Sequence, residues 1–142
     1  VADEILNKSS KLNANEKLIM NRHGFDSDMV LRHIKGFREI AHIASLHHET
    51  LDAKGYPYNL TASQIPFEAR IIAVADIFQA LIQNRPYRSG LTTHEAYEII
   101  FDMCKEGKLD LDIVTILKDN LEVCYEKANN AYYINQELHP EK

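Results

Sequence analysis

The sequence predicts an all-α fold. Apolar residues recur at three- and four-residue spacing along almost the whole chain, and no stretch alternates apolar with polar residues between hairpin turns. A length of 142 residues suits one domain with a core of its own.

The elements follow in order. After the loop "KSSKLN", a helix is expected from about Asn13 to about His23, carrying Leu18, Ile19 and Arg22. Gly24 is expected to break it, and a second short helix follows in "FDSDMVLRHI". In "GFREIAHIASLHHE", Phe37, Ile40, Ala41 and Ala44 form the buried stripe of an amphipathic helix. His47 and His48 extend that stripe, so their rings face inward or into a cleft, where each must meet a hydrogen bond or a metal. The segment "LDAKGYPYNLTASQ" is rich in turn formers, with Gly55 free to take positive φ and Pro57 fixing its own. Pro66 suits the first turn of the next helix, "IPFEARIIAVADIFQALIQN", with Thr61 or Ser63 in reach as a cap.

On that helix Ile65, Ala69, Ile72, Ala73, Asp76 and Ala80 share one face. Asp76 is then a carboxylate within an apolar stripe, and burial unpaired would cost several kcal/mol. It needs either a metal or a cation such as Arg70. "RPYRSGL" ends the helix, and Thr92 with Glu95 forms the capping box of another, "THEAYEIIFDMCKEG". "LDIVTILKDNLEVCYEKA" is expected to be a last helix and "NNAYYINQELHPEK" a polar tail.

Composition narrows the partners. Sixteen basic against twenty-one acidic residues give a net charge of −5, which argues against a nucleic-acid groove or an anionic membrane and leaves room for a locally basic pocket. Cys104 and Cys124 are far apart with no CxxC, so reduced thiols are expected rather than a disulfide framework. No run approaches the roughly 20 apolar residues of a membrane span.

Three blocks, "HHETLDAKGYP", "IPFEARIIAVADIFQAL" and "RPYR", resemble in order and spacing the HD-GYP family, a bacterial branch of the HD metal-dependent phosphohydrolases. Upstream, "ADEILNKSSKLNANEKLIMNRH" is similar to the stretch that follows the family's His-Asp dyad, so the likeness covers roughly residues 1 to 105. It implies an HD-domain-like helical bundle, incomplete at its N-terminus. Residues 1–106 would be the C-terminal part of the HD-GYP domain, 107–128 its last helix and 129–142 a polar tail.

The resemblance further implies hydrolysis of cyclic di-GMP at a centre of two or three iron or manganese ions. His23, His47, His48 and Asp76 match the metal ligands, with Asp76 and His48 closest to the chemistry. Arg85 and Arg88 match the basic pair that holds substrate phosphate. Gly55, Tyr56 and Pro57 match the naming motif, for which the resemblance implies a contact surface for partners such as GGDEF-domain diguanylate cyclases, with a simple tight turn as the alternative. A cytoplasmic signalling protein with an upstream sensory or receiver domain is expected, with a homodimer as one assembly.

The chemistry is consistent with that assignment. Imidazoles and carboxylates suit iron, manganese or zinc, and two such ions about 3.5–4 Å apart activate water and stabilise the oxygens of an in-line displacement. Alternatives stay open. The two histidines suit a hydrogen-bonded pair at a helix end, and the arginines suit the negative end of the helix dipole.

Departures from the pattern are as informative. The His-Asp dyad is missing, and the family places it just before the point where this chain begins, so the chain alone is expected to hold metal poorly and hydrolyse little. Ala53 and Asn59 stand where the family usually has glycine, and Gln79 where aspartate is common. These changes leave two further readings: a non-catalytic module that binds the dinucleotide or a cyclase, and an HD phosphohydrolase for another nucleotide.

Overall fold

Local capping chemistry sets where the helices begin. Asn13 accepts from the Glu16 amide while the Glu16 carboxylate accepts from the Asn13 amide, a closed box at the start of α2, Ala14–Asn21. Thr92 and Glu95 do the same for α6, Thr93–Lys105, as the sequence predicts. The computed structural model describes residues 2–6, 8, 10–84 and 89–138. Within them lie α1, Asp3–Leu6; α2; α3, His23–Leu31; α4, Arg38–Ser45; α5, Phe67–Ile82; α6; α7, Leu111–Asp119; and α8, Leu121–Leu138. A 3-10 turn, Ala62–Gln64, carries its own box between Thr61 and Gln64. Among the described residues there is no strand, only an isolated bridge between Asp52 and Thr61.

Three expectations are corrected. Gly24 does not end a helix but lies in the first turn of α3, where a β-carbon would stand 3.1 Å from the Ser45 carbonyl oxygen. The residue is small because α3 packs closely on the end of α4. Phe37 and Ile40 are exposed, and α4 buries Ala41 and Ser45 instead. The single last helix is two, divided at Asn120, and α8 continues to Leu138.

Helix α5 organises the interior. Its Val74, Phe78 and Ile82, four residues apart, enter a core with Ala96, Tyr97 and Ile100 of α6 and Ile113, Val114 and Leu117 of α7. On its N-terminal half, Ala69 joins Leu46 and Ile65 in a smaller cluster under the end of α4. Helices α3 and α4 pack on each other, and α4 in turn reaches α5. The α4–α5 connection supplies most of that smaller cluster, through Leu46 and Ile65 with Leu51 and Leu60 packed against them.

Candidate metal centre

His23 opens α3, and His47 and His48 follow the last turn of α4, so packing of the helix pair brings the three rings together. Their centroids are 3.9 to 5.4 Å apart. The Nδ1 of His23 lies 2.6 Å from the Met20 carbonyl and the Nδ1 of His47 lies 2.6 Å from the Ala44 carbonyl. A carbonyl only accepts, so both Nδ1 atoms carry a proton, and in the neutral rings both Nε2 atoms present lone pairs.

Those lone pairs point at one another. Nε2 of His23 is 3.3 Å from Nε2 of His47 and 3.0 Å from Nε2 of His48. His48 can donate one proton to His23, but the lone pair of His47 still faces that of His23. A cation between the rings removes the conflict. Bound imidazole nitrogens sit about 2.0–2.1 Å from zinc, so neighbouring ligands stand about 3 Å apart, the spacing seen here. Among the described residues these three form the group able to hold an ion, with all ligand atoms within 4.8 Å. Fixing the outer nitrogen by a carbonyl is the usual way a protein orients a metal-binding imidazole. Burial, followed by the neighbouring His47 and His23, holds the His48 pKa down at about 4, so the ring is neutral and available as a ligand near pH 7.

The loop after the histidines is tied to them through backbone and ring. Tyr56 donates its amide to the His48 carbonyl at 3.1 Å, and its ring lies 4.6 Å from the His48 ring, tilted by 30°. Gly55 permits this return: a β-carbon there would stand 2.4 Å from the Thr50 nitrogen and 2.6 Å from the His48 oxygen. Only glycine fits. The buried Glu49, which sequence reasoning passed over, holds the far side of the loop by accepting from the Tyr58 amide at 2.7 Å and the Leu60 amide at 2.9 Å. A second buried acid, Asp28, pairs with Arg32 and accepts from the Tyr58 hydroxyl at 3.2 Å. The run Gly55–Tyr56–Pro57 is thus pinned at both ends.

Asp76 is placed differently from the sequence expectation. Ile65, Ala69 and Ala73 are buried as predicted, but Ile72 and Asp76 are exposed, because the buried face of α5 turns toward Val74 and Phe78. Asp76 stands outside the histidine trio. It is near the loop, however: burial and then the Asp76 charge raise the Tyr56 pKa. Arg70 does not pair with Asp76; it binds Asp110 at 3.0 Å and the carbonyls of Ala62 and Ile65. Gln79 lines an apolar groove with Ile113, Leu117 and Cys124. Arg85 and Arg88 lie outside the described residues. Both cysteines are free thiols, and among the described residues no helix is long and apolar enough to cross a membrane.

A family model described as the HD domain matches residues 1–113. The chain is 39% identical over 124 residues to 3'3'-cGAMP-specific phosphodiesterase 1 of Vibrio cholerae, covering 87% of this chain and 29% of that protein. It is 38% identical over 111 residues to the cyclic di-GMP phosphodiesterase response regulator RpfG of Xanthomonas campestris, covering 77% and 29%. A cyclic di-GMP phosphodiesterase of Thermotoga maritima is 35% identical over 111 residues, covering 77% and 30%. The chain therefore spans about three tenths of the length of these relatives. It belongs to the HD-domain family, and within it to the HD-GYP type. That family is metal-dependent, and the three histidines fit a divalent ion.

Proposed function

We propose that this chain is the histidine-bearing part of a phosphodiesterase that hydrolyses a 3'3'-linked cyclic dinucleotide, with cyclic di-GMP as the first candidate. The observation that carries the proposal is the convergence of three Nε2 atoms, two of them fixed as lone-pair donors by Met20 and Ala44. In this reading His23, His47 and His48 hold metal, and Asp76, whose charge is felt at Tyr56, supplies a carboxylate ligand. Iron or manganese, two or three ions, is the proposed set. Such ions, when bound, activate water and polarise phosphoryl oxygens.

The chain's own residues then do the positioning. Tyr56 covers one face of the His48 ring and limits its rotation. Glu49 fixes the loop that carries Tyr56. Arg85 and Arg88 would take up charge on the phosphoryl oxygens as it develops. No side chain here has to act as a nucleophile. A second substrate has specific support, since a relative at 39% identity is named for 3'3'-cGAMP. A GGDEF-domain partner contacting the Gly55–Tyr56–Pro57 surface belongs to the same proposal.

The experiment uses the full-length protein reconstituted with iron or manganese and given cyclic di-GMP and 3'3'-cGAMP in parallel, with products separated by chromatography. Turnover of either nucleotide, lost together with bound metal in His48→Ala, supports the enzyme. Tight nucleotide binding with no turnover by metal-loaded protein would replace it with a receptor. Unchanged metal content in His48→Ala would overturn the ligand assignment.

A further inference from the structure

We infer that the α3–α4 pair carries a second ligand site, selective for a phosphate-type oxyanion, in the cleft between Arg32, Arg38 and His42. The cleft has a volume of about 320 Å³ and is lined by Asp28, Arg32, Arg38 and His42, all ionisable. Its one carboxylate is already satisfied. Asp28 is 2% exposed, pairs with Arg32 and accepts from the Tyr58 hydroxyl. That pairing holds the Arg32 guanidinium in place with donors left over.

Arg38 is the exposed cation of the cleft. Among the described residues its guanidinium has no ion pair and no hydrogen bond, and the His42 ring, one turn on along the same face of α4, has none either. A cation at the first residue of a helix is also on the wrong side of the helix dipole. Phe37, before it, provides no side-chain cap, so the first amides of α4 lack that partner. A bound oxyanion answers all three conditions at once, because it accepts from the guanidinium fork, pairs with its charge and favours the positive helix end. The local sequence is consistent with this. From residue 32 to residue 42 the chain carries Arg32, His33, Lys35, Arg38 and His42 against Glu39 alone, although its net charge is −5.

The site stands apart from the histidine centre but shares a helix with it. Asp28 follows His23 by five residues on α3, a rise of about 7.5 Å. Two sources fit the same chemistry: free inorganic phosphate, and a phosphodiester group of a nucleotide whose other end lies at the histidines. The cleft assignment itself does not rest on the catalytic reading.

The test is a titration of the ¹⁵N-labelled chain with inorganic phosphate, in chelator so that metal at the histidines plays no part. Saturable shifts of the Phe37–His42 amides and the Arg38 Nε are expected, with affinity reduced at least fivefold in Arg38→Gln, partly kept in Arg38→Lys and unchanged in His48→Ala. Arg38 is exposed, so Arg38→Gln is expected to retain the wild-type thermal midpoint, checked by circular dichroism. A parallel titration with cyclic di-GMP identifies the source. Binding tighter than phosphate, with the advantage lost in Arg38→Gln, assigns the cleft to a nucleotide phosphodiester; equal or weaker binding assigns it to the free ion. In the phosphate titration, absence of saturable shifts, equal affinity in Arg38→Gln, or shifts centred on His47 and His48 overturns the site.

Discussion

Around α5, α6 and α7 the side chains hidden from solvent are Val74, Phe78, Ala96, Ile100 and Val114, whereas around α3 and α4 they include Asp28, Ser45 and Glu49. The first region is held by apolar burial, which is non-directional and tolerates exchange of shape for shape. The second is held by directed bonds: Glu49 to two loop amides, Asp28 to Arg32 and Tyr58, Ser45 to the His42 carbonyl at 2.7 Å. That difference follows from what each region must do. A core needs only to exclude water, while a centre that aims three ring nitrogens at one point needs fixed angles. The apolar half supports; the polar half aims.

The largest test of the contrast is in the supporting half. Ile100 is fully buried, and Ile100→Ala should lower stability by about 3–4 kcal/mol through lost burial and a residual cavity. Urea denaturation would measure it. Below the lowered midpoint, metal bound per folded molecule should stay as in the wild type, because no residue of the histidine centre touches that core. A loss of metal in parallel would mean the two halves are not separable.

The aiming half should respond in the opposite manner. Glu49→Ala leaves the Tyr58 and Leu60 amides without acceptors, at a cost of about 2–3 kcal/mol. It should also weaken metal binding, since the loop that seats Tyr56 on His48 is released. Glu49→Gln keeps the shape and one good acceptor and should fall between. Calorimetric metal titration of both variants checks the order.

The third test is pH. The His48 pKa is lowered in the folded protein from 6.5 to about 4, burial being the main cause. The folded state therefore binds fewer protons than the unfolded chain between these values, so stability is full above about pH 6.5 and declines as pH falls toward 4. Below that the contribution is gone and the slope ends. In metal-free protein, thermal midpoints across this range should show that decline, and His48→Phe should flatten it. The apolar core has no comparable group and should leave the slope unaltered in Ile100→Ala.

How far the sequence revealed these regions differs in the same way. The capping box at Thr92 and the buried positions Ala69 and Ala73 were legible because they depend on neighbours three or four residues away. Phe37 and Ile40 misled, since periodicity marks an apolar stripe without saying whether another helix covers it. Asp76 misled for the same reason: the tilt of α5 toward Val74 and Phe78 is decided by α6 and α7, which no helical wheel contains. His47 and His48 drew notice as adjacent rings, but their meeting with His23, 24 residues earlier, was accessible only through family resemblance. Glu49 and Asp28 were missed because a single acid in a polar stretch looks solvated. For Asp28 a signal existed in the i, i+4 pairing with Arg32.

The smallest effect is also the sharpest probe of the aiming loop. Ala53 has φ of 59° and Asn59 has φ of 55°, both in the left-handed region, at two positions where the resemblance to the HD-GYP family implies glycine. For alanine that conformation costs about 1–2 kcal/mol, while asparagine tolerates it. Asn59 also uses its side chain, donating to the Gly55 carbonyl. Glycine at position 53 relieves the clash but gains unfolded-state entropy worth about 0.4–1 kcal/mol. The net prediction is that Ala53→Gly stabilises by up to about 1.6 kcal/mol. Asn59→Gly, which gives up a hydrogen bond and relieves little, should be neutral or destabilising by a similar amount. Opposite signs in paired thermal melts would show that the two departures from glycine are physically unlike: Ala53 is tolerated strain, and Asn59 is a working tie within the loop that carries Tyr56. Equal signs would mean that the backbone at one of these positions is not left-handed in solution.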